Sequence, residues 1–224
     1  FYKFYNSAKE HGVNPIVGCE LYTNDLYHSD NEKFLELKRG TSEVIGDAGE
    51  HLDKTAAANN HTLVYSKNYE GVKNLLNISN EGFDNYYRKP LSSMNRVYEG
   101  LNENNIITTG CLQSKWNQLV LAGNEVEALK LIKKFRDKFG EDFYLEVQLN
   151  NLDIQMTCNN FYKKVYEKTG IKPVFALDYH YANKDDWYIQ YLLYVIRQRE
   201  TVQSYTPDDW FYTVHSLYIK EIDE

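Results

Sequence analysis

The sequence predicts an α/β fold, with a largely parallel sheet and helices outside it, as an open doubly wound sheet or a barrel. Three observations predict it. Short β-type runs (IVGCELYT, HTLVYS, NIITTGCL, FYLEVQL and VFALDYHY) alternate with longer stretches of helical period. Glycines punctuate the joins, at Gly12, Gly123-Asn124, Gly140 and Gly170. Four of the five runs also carry metal-ligand side chains near one end, namely Glu20, His61, Cys111, and the pair Asp178 and His180.

Taken in order, Phe1 to Gly12 reads as a helix already under way, with Phe1, Tyr5 and Ala8 as its apolar positions and Gly12 as its stop. Pro15 to Tyr22 is a β-type run. Residues 24–60 are polar and weakly periodic, with a short charged helical stretch near Glu32 to Lys38, and read as an insertion or mobile loop. His61 to Ser66 is a strand, followed by a helix over Asn68 to Ser79 with Val72, Leu75, Leu76 and Ser79 on one face. Asn80 to Glu99 reads as irregular. Asn105 to Thr109 is a strand that turns at Gly110 and Cys111 into a helix over Ser114 to Ala122. The clearest helix is Glu125 to Phe139, with Val126, Leu129, Ile132 and Phe135 spaced toward a core. Phe143 to Leu149, Asp153 to Lys168, Pro173 to Tyr181 and Asp185 to Arg197 then read as strand, helix, strand and helix. There is no internal repeat.

With 224 residues the chain is long enough for one large domain with a buried core, and 42% hydrophobic residues exclude a disordered chain. The 20 tyrosines read as a packing habit on half-buried surfaces. A net charge of −7 argues against a domain whose main task is gripping nucleic acid, which needs clustered Lys and Arg. An acidic domain can still hold divalent cations. Three widely spaced cysteines (Cys19, Cys111, Cys158) with no CxxC fit a reducing compartment. The longest apolar run, around Tyr191 to Ile196, is far short of the about 20 residues a membrane span takes. No signal-peptide pattern opens the sequence, so a cytoplasmic protein without membrane contact is expected.

Asp178 and His180 are the strongest local chemical signal. Two residues apart on a strand, they project to one face, and a carboxylate beside an imidazole suits Zn, Mn or Fe. Read alone, such a pair is more often a surface or structural feature. Glu20 lies in an otherwise apolar strand, where a carboxylate is costly to bury unless it is paired or binds metal; the alternative is that the strand has ended and Glu20 is solvated. Cys19 points the other way and reads as core, and Cys158 as helix packing. His61 opens its strand and by itself reads as a loop histidine. Cys111 follows Gly110 just before a helix, a place that favours a thiolate, although a buried inert thiol is the commoner case. His11, His28, His51 and His215 have no partner at helix or strand spacing, and Arg197 and Arg199 read as a solvated helix end. The nucleotide and serine-hydrolase motifs GxGxxG, P-loop and GxSxG, and the zinc motif HExxH, do not occur.

Read together, NPIVGCELYT, HTLVYSKNYEGVKNLLNIS, EGFDNYYRKPL, YEGLNENNIITTGCL, GNEVEALKLIKKFRDKFGEDFYLEVQLN and KPVFALDYHYANKDDW resemble, in order and spacing, one known domain. It is the polymerase-and-histidinol-phosphatase (PHP) domain of bacterial-type (C-family) DNA polymerase III alpha subunits. FGEDFYLEVQ discriminates most, because stand-alone PHP phosphatases are not expected to share it. The resemblance implies a distorted βα barrel over residues 1–224 whose pocket can hold divalent metal ions. The family's ligands would map onto Glu20, His61, Cys111, Asp178 and His180, with Asp178, His180 and Glu20 nearest the chemistry. It implies a part in DNA replication, with DNA and other polymerase domains or replisome subunits as partners, and metal-dependent 3′-5′ phosphodiester hydrolysis in metal-retaining members. The alternatives are a non-catalytic structural or interaction domain and a stand-alone phosphoesterase. The family's first two strands carry an HxH motif and a DH pair that this sequence lacks, so the barrel is expected to be incomplete at its N-terminal side. The palm aspartates of nucleotide addition would lie beyond Glu224, so this chain by itself is not expected to polymerise DNA.

Overall fold

A computed structural model describes residues 2–24, 59–84, 86, 89–150, 152–209 and 215–220. The expected insertion over 24–60, with its short helix, and the positions of His28 and His51 lie almost wholly outside them.

Among the described residues, five strands form one open sheet in the order β1-β2-β3-β4-β5. Strand β1 (Val17–Thr23) pairs antiparallel with β2 (Asn60–Ser66), and β2 pairs antiparallel with β3 (Asn105–Thr108). Strands β3, β4 (Phe143–Gln148) and β5 (Pro173–Ala176) pair in parallel. Four strands therefore run one way and β2 runs against them. The expected parallel sheet holds except at β2, whose alternating side chains look the same in either direction. This reversal carries the start of β2 to the end of β1, with Tyr22 opposite His61.

Helix α1 (Tyr2–Glu10) precedes β1 and has no buried residue. After β2 comes α2 (Tyr69–Asp84), then α3 (Met94–Gly100), capped by the Ser93 hydroxyl, which accepts from the Arg96 N–H. The expectation of irregular chain over Asn80 to Glu99 is thus wrong at both ends. Its polar composition hid the last turn of α2, with buried Gly82, and the buried Met94 and Val97 of α3; the rest of the α2 stripe (Gly71, Leu75, Ile78) lies in the expected helix. Leu76, expected inside, faces solvent.

Ser114 caps α4 (Lys115–Leu121), and α5 (Glu125–Phe139) follows with the predicted bounds. Its buried stripe is Ala128, Ile132, Phe135 and Phe139; Val126, expected in the core, is 65% exposed in the first turn. Helix α6 (Asp153–Thr169) ends at Gly170 in the left-handed conformation, as a C-terminal glycine allows. Helix α7 (Trp187–Gln198) closes the series. The core lies between these helices and one sheet face. Trp116 meets Phe135 edge to face at 5.2 Å, and Phe135 stands 6.0 Å from Phe143. Each fully buried side chain of this size contributes about 1.5–3 kcal/mol of transfer free energy, and well-oriented ring pairs somewhat more. Cys158 is buried here, and Cys19 packs partly against it.

The last strand is shorter than expected. Regular pairing stops at Ala176, and Asp178 takes φ +49°, a left-handed conformation that Asp tolerates better than most residues. The DYH segment is therefore a loop, and strand alternation does not set the direction of its side chains.

Candidate metal centre

The sheet has two faces, and burial sorts them. Leu21, Thr23, Thr62, Val64, Ile107, Phe143 and Leu145 face the helices. Pairing register then places Glu20, Tyr22, His61, Leu63, Tyr65, Thr108, Tyr144 and Glu146 on the opposite face. Glu20 is thus inside a continuing strand, its side chain 41% exposed, and not beyond the strand's end.

His61 is the hub. Its Nδ1 lies 3.3 Å from Glu20 Oε1 and 3.6 Å from Cys111 Sγ. Cys111 follows Gly110, whose φ of +67° turns the chain off β3. The turn is then pinned from behind. Fully buried Asn117 gives both amide hydrogens to the Gly110 and Cys111 carbonyls, at 3.1 and 2.8 Å, and its Oδ1 accepts from Tyr162 Oη at 2.7 Å.

Asp178 and His180 reach the same end of the sheet from β5. The His180 Nδ1 is 2.6 Å from the Asp178 carbonyl, which can only accept. Nδ1 therefore carries a hydrogen. The His180 N–H donates to the Leu217 carbonyl at 2.8 Å, and the Leu217 N–H donates to Tyr181 Oη at 3.2 Å. Segment 215–220 thus straps this loop.

Burial dominates the local electrostatics. Burial, with help from Glu20, raises the Asp178 carboxyl above its ordinary value, against the pull of His180 and His61. Burial pushes the Cys111 thiol up to about 12, and Asp178, Glu20 and Glu146 add to the shift. Cys111 thus fits the commoner reading of a buried thiol: Ser114, not Cys111, caps α4, and burial outweighs the backbone. Burial lowers the His61 imidazole, and Lys89 acts in the same direction, while Glu20 and Asp178 oppose them.

Glu146 was not singled out from the sequence. It is 1% exposed, accepts from Thr108 Oγ1 at 2.5 Å and from Gln148 Nε2 at 2.9 Å, and lies on the same face as Glu20. Burial first, and then Asp178, raise its pKa. The signal was present, since a lone acid inside the apolar run FYLEV is the pattern that drew attention to Glu20.

The donor types fit a divalent ion. Around a tetrahedral ion with bonds of about 2.0–2.1 Å to O and N and about 2.3 Å to S, ligand atoms stand roughly 3.3 Å (O to N) and 3.6 Å (N to S) apart. These are the separations His61 makes. Asp178 lies within electrostatic reach of that set, and His180 within reach of Asp178, but among the described residues no group of three or more His, Cys, Asp or Glu closes into a single ligand cluster.

The PHP domain family matches residues 1–150 of this sequence. Similar proteins include the DNA polymerase III subunit alpha of Aquifex aeolicus, 30% identical over 202 residues, which are 90% of this chain and 16% of that protein. That of Borreliella burgdorferi is 31% identical over 190 residues (82% of this chain, 14% of that protein). The counterpart in Deinococcus radiodurans is 26% identical over 227 residues (99% and 15%). The chain thus spans about a sixth of the length of these relatives. Among the described residues no helix is long and apolar enough to cross a membrane. With the family match covering 150 of its 224 residues, and an open α/β sheet consistent with part of a distorted βα barrel, this chain belongs to the PHP domain family.

Proposed function

We propose that residues 1–224 form the PHP domain of a replicative DNA polymerase III alpha subunit, with 24–60 as an insertion. In the complete protein its sheet end binds divalent metal and hydrolyses phosphodiester bonds at DNA 3′ ends. The relatives' common description supports the replicative setting, with DNA and other polymerase domains or replisome subunits as partners. The observation that carries the metal reading is His61, standing at ligand-to-ligand distance from both Glu20 and Cys111.

The donor set suits Zn, Mn or Fe. A bound divalent ion supplies Lewis acidity toward a phosphate oxygen and a water. Glu20, His61 and Cys111 hold one side of the site, and Asp178 and His180 the other. The bond from His180 Nδ1 to the Asp178 carbonyl orients the ring for coordination through Nε2. Cys111 must give up a proton that burial makes it keep, so metal uptake releases protons and strengthens as pH rises.

The test is 3′-5′ hydrolysis of single-stranded DNA by the full-length gene product. The expected outcome is metal-dependent hydrolysis that chelation abolishes and that Asp178→Asn lowers by at least about 100-fold, since ligand losses act on the transition state. Metal-replete protein with every ligand intact and no hydrolysis contradicts the catalytic reading. A second reading, a structural PHP domain without hydrolysis, is favoured by one observation: among the described residues no three of the candidate ligands close into one ligand group. It predicts that Asp178→Asn leaves folding and DNA synthesis unchanged in a protein that binds no metal.

A further inference from the structure

We propose that Lys89 is the phosphate-anchoring cation of this site, the group that holds the nucleotide phosphate against the strand ends. The inference deepens the proposed phosphodiesterase reading and rests on it.

The position of Lys89 is built rather than incidental. Leu91, two residues on, is fully buried and its N–H donates to the Gly82 carbonyl at 3.1 Å. Ser92 bridges Thr23 in parallel; its N–H donates to the Tyr22 carbonyl at 2.9 Å, and its carbonyl accepts from the Asn24 N–H at 2.8 Å. The chain just after Lys89 is therefore fastened along the C-terminal end of β1, where the candidate ligands gather. From there the Lys89 ammonium sits over the Tyr22 ring, 3.7 Å from its centroid. Tyr22 in turn meets the His61 ring edge to face at 4.9 Å.

Lys89 is also the cation that acts on His61, where it opposes protonation. Among the described residues no carboxylate lies within ion-pair distance of Lys89, whereas Lys67, at the far end of β2, is taken up by Asp142 at 2.8 Å. A desolvated aromatic face holds an ammonium in place without neutralising it. The ammonium is thus held beside His61, through the Tyr22 ring, and among the described residues it makes no ion pair with Glu20, Asp178 or Glu146. That is the arrangement a phosphate needs. The ligand carboxylates Glu20 and Asp178 take the metal, and a lysine without a carboxylate partner among the described residues takes the anion that the acids alone would repel.

The experiment compares wild-type full-length protein with Lys89→Gln and Lys89→Arg, reading bound metal by elemental analysis and thymidine 5′-monophosphate binding by calorimetry. Binding elsewhere on the chain is common to all variants and is removed by subtracting the isotherms. The expected result is unchanged metal content, binding weakened at least about tenfold in Lys89→Gln, and recovery to near wild type in Lys89→Arg. Metal in place with unchanged nucleotide affinity in Lys89→Gln overturns the role of Lys89 and leaves the metal reading standing. Loss of metal in Lys89→Gln overturns it as well, by making Lys89 a structural support. A wild type without metal sinks the phosphodiesterase reading, and this inference with it.

Discussion

The two halves of the candidate centre are held by different means. Glu20, His61 and Cys111 belong to strands, or to the turn directly after one, and β1 and β2 pair along seven residues each. Behind them stands an aromatic core of Trp116, Phe135 and Phe143. Asp178 and His180 belong to a loop after a strand of four residues, shaped by one left-handed residue and strapped by hydrogen bonds to Leu217. A half built on register moves only if the sheet comes apart. A half built on a few loop bonds can open alone, because proteins unfold locally where few apolar contacts must be lost. An ion shared by both halves would couple them, which is a reason for a metal site to be divided in this way.

The comparison breaks hardest at the core. Trp116→Ala is expected to cost about 3–5 kcal/mol in urea denaturation and to weaken the whole sheet-borne half. Tyr181→Phe removes only the acceptor for the Leu217 N–H and is expected to cost about 0.5–1.5 kcal/mol, with faster amide hydrogen exchange confined to 176–181 and 215–220. Equal, global effects of the two substitutions would show that the halves are not separate.

The smallest effect is a pH dependence. Glu146 keeps its proton to a higher pH folded than unfolded, so the folded state binds more protons between the ordinary carboxylate range and the raised value. The contribution of Glu146 to the stability of the metal-free protein therefore falls as pH rises through that window. Glu146→Gln should flatten the fall, as measured by denaturation midpoints across the acid range. A slope that is unchanged would mean that Glu146 is not the group responsible.

The sequence-based reading fared differently in the two halves for the same physical reason. Strand alternation and helix period are local, so β1, β2, β4, α5 and α6 were legible within a residue or two. The direction of β2 was not, because a period of two has no polarity. Val126 and Leu76 share a helix with buried residues, and which face turns inward depends on partners that the sequence does not display. At the site, Glu20 stood out as an acid among apolar residues, and Glu146 met the same criterion within FYLEV. Asp178 and His180 were recognised by residue type, but the assumption that they lie on a strand failed, since a left-handed Asp leaves little trace in sequence. Lys89 could not have been found by pattern at all: its place depends on Ser92 bridging back to Thr23 across the connection between α2 and α3.

The most direct test is the metal itself. Elemental analysis of the full-length protein after dialysis against Zn, Mn or Fe, wild type beside His61→Ala, addresses the residue on which both short contacts converge. Bound divalent metal in the wild type and its loss in His61→Ala, with the fold intact by circular dichroism, is the predicted result. Metal retained in full by His61→Ala, or none in the wild type, would contradict a metal centre built around His61.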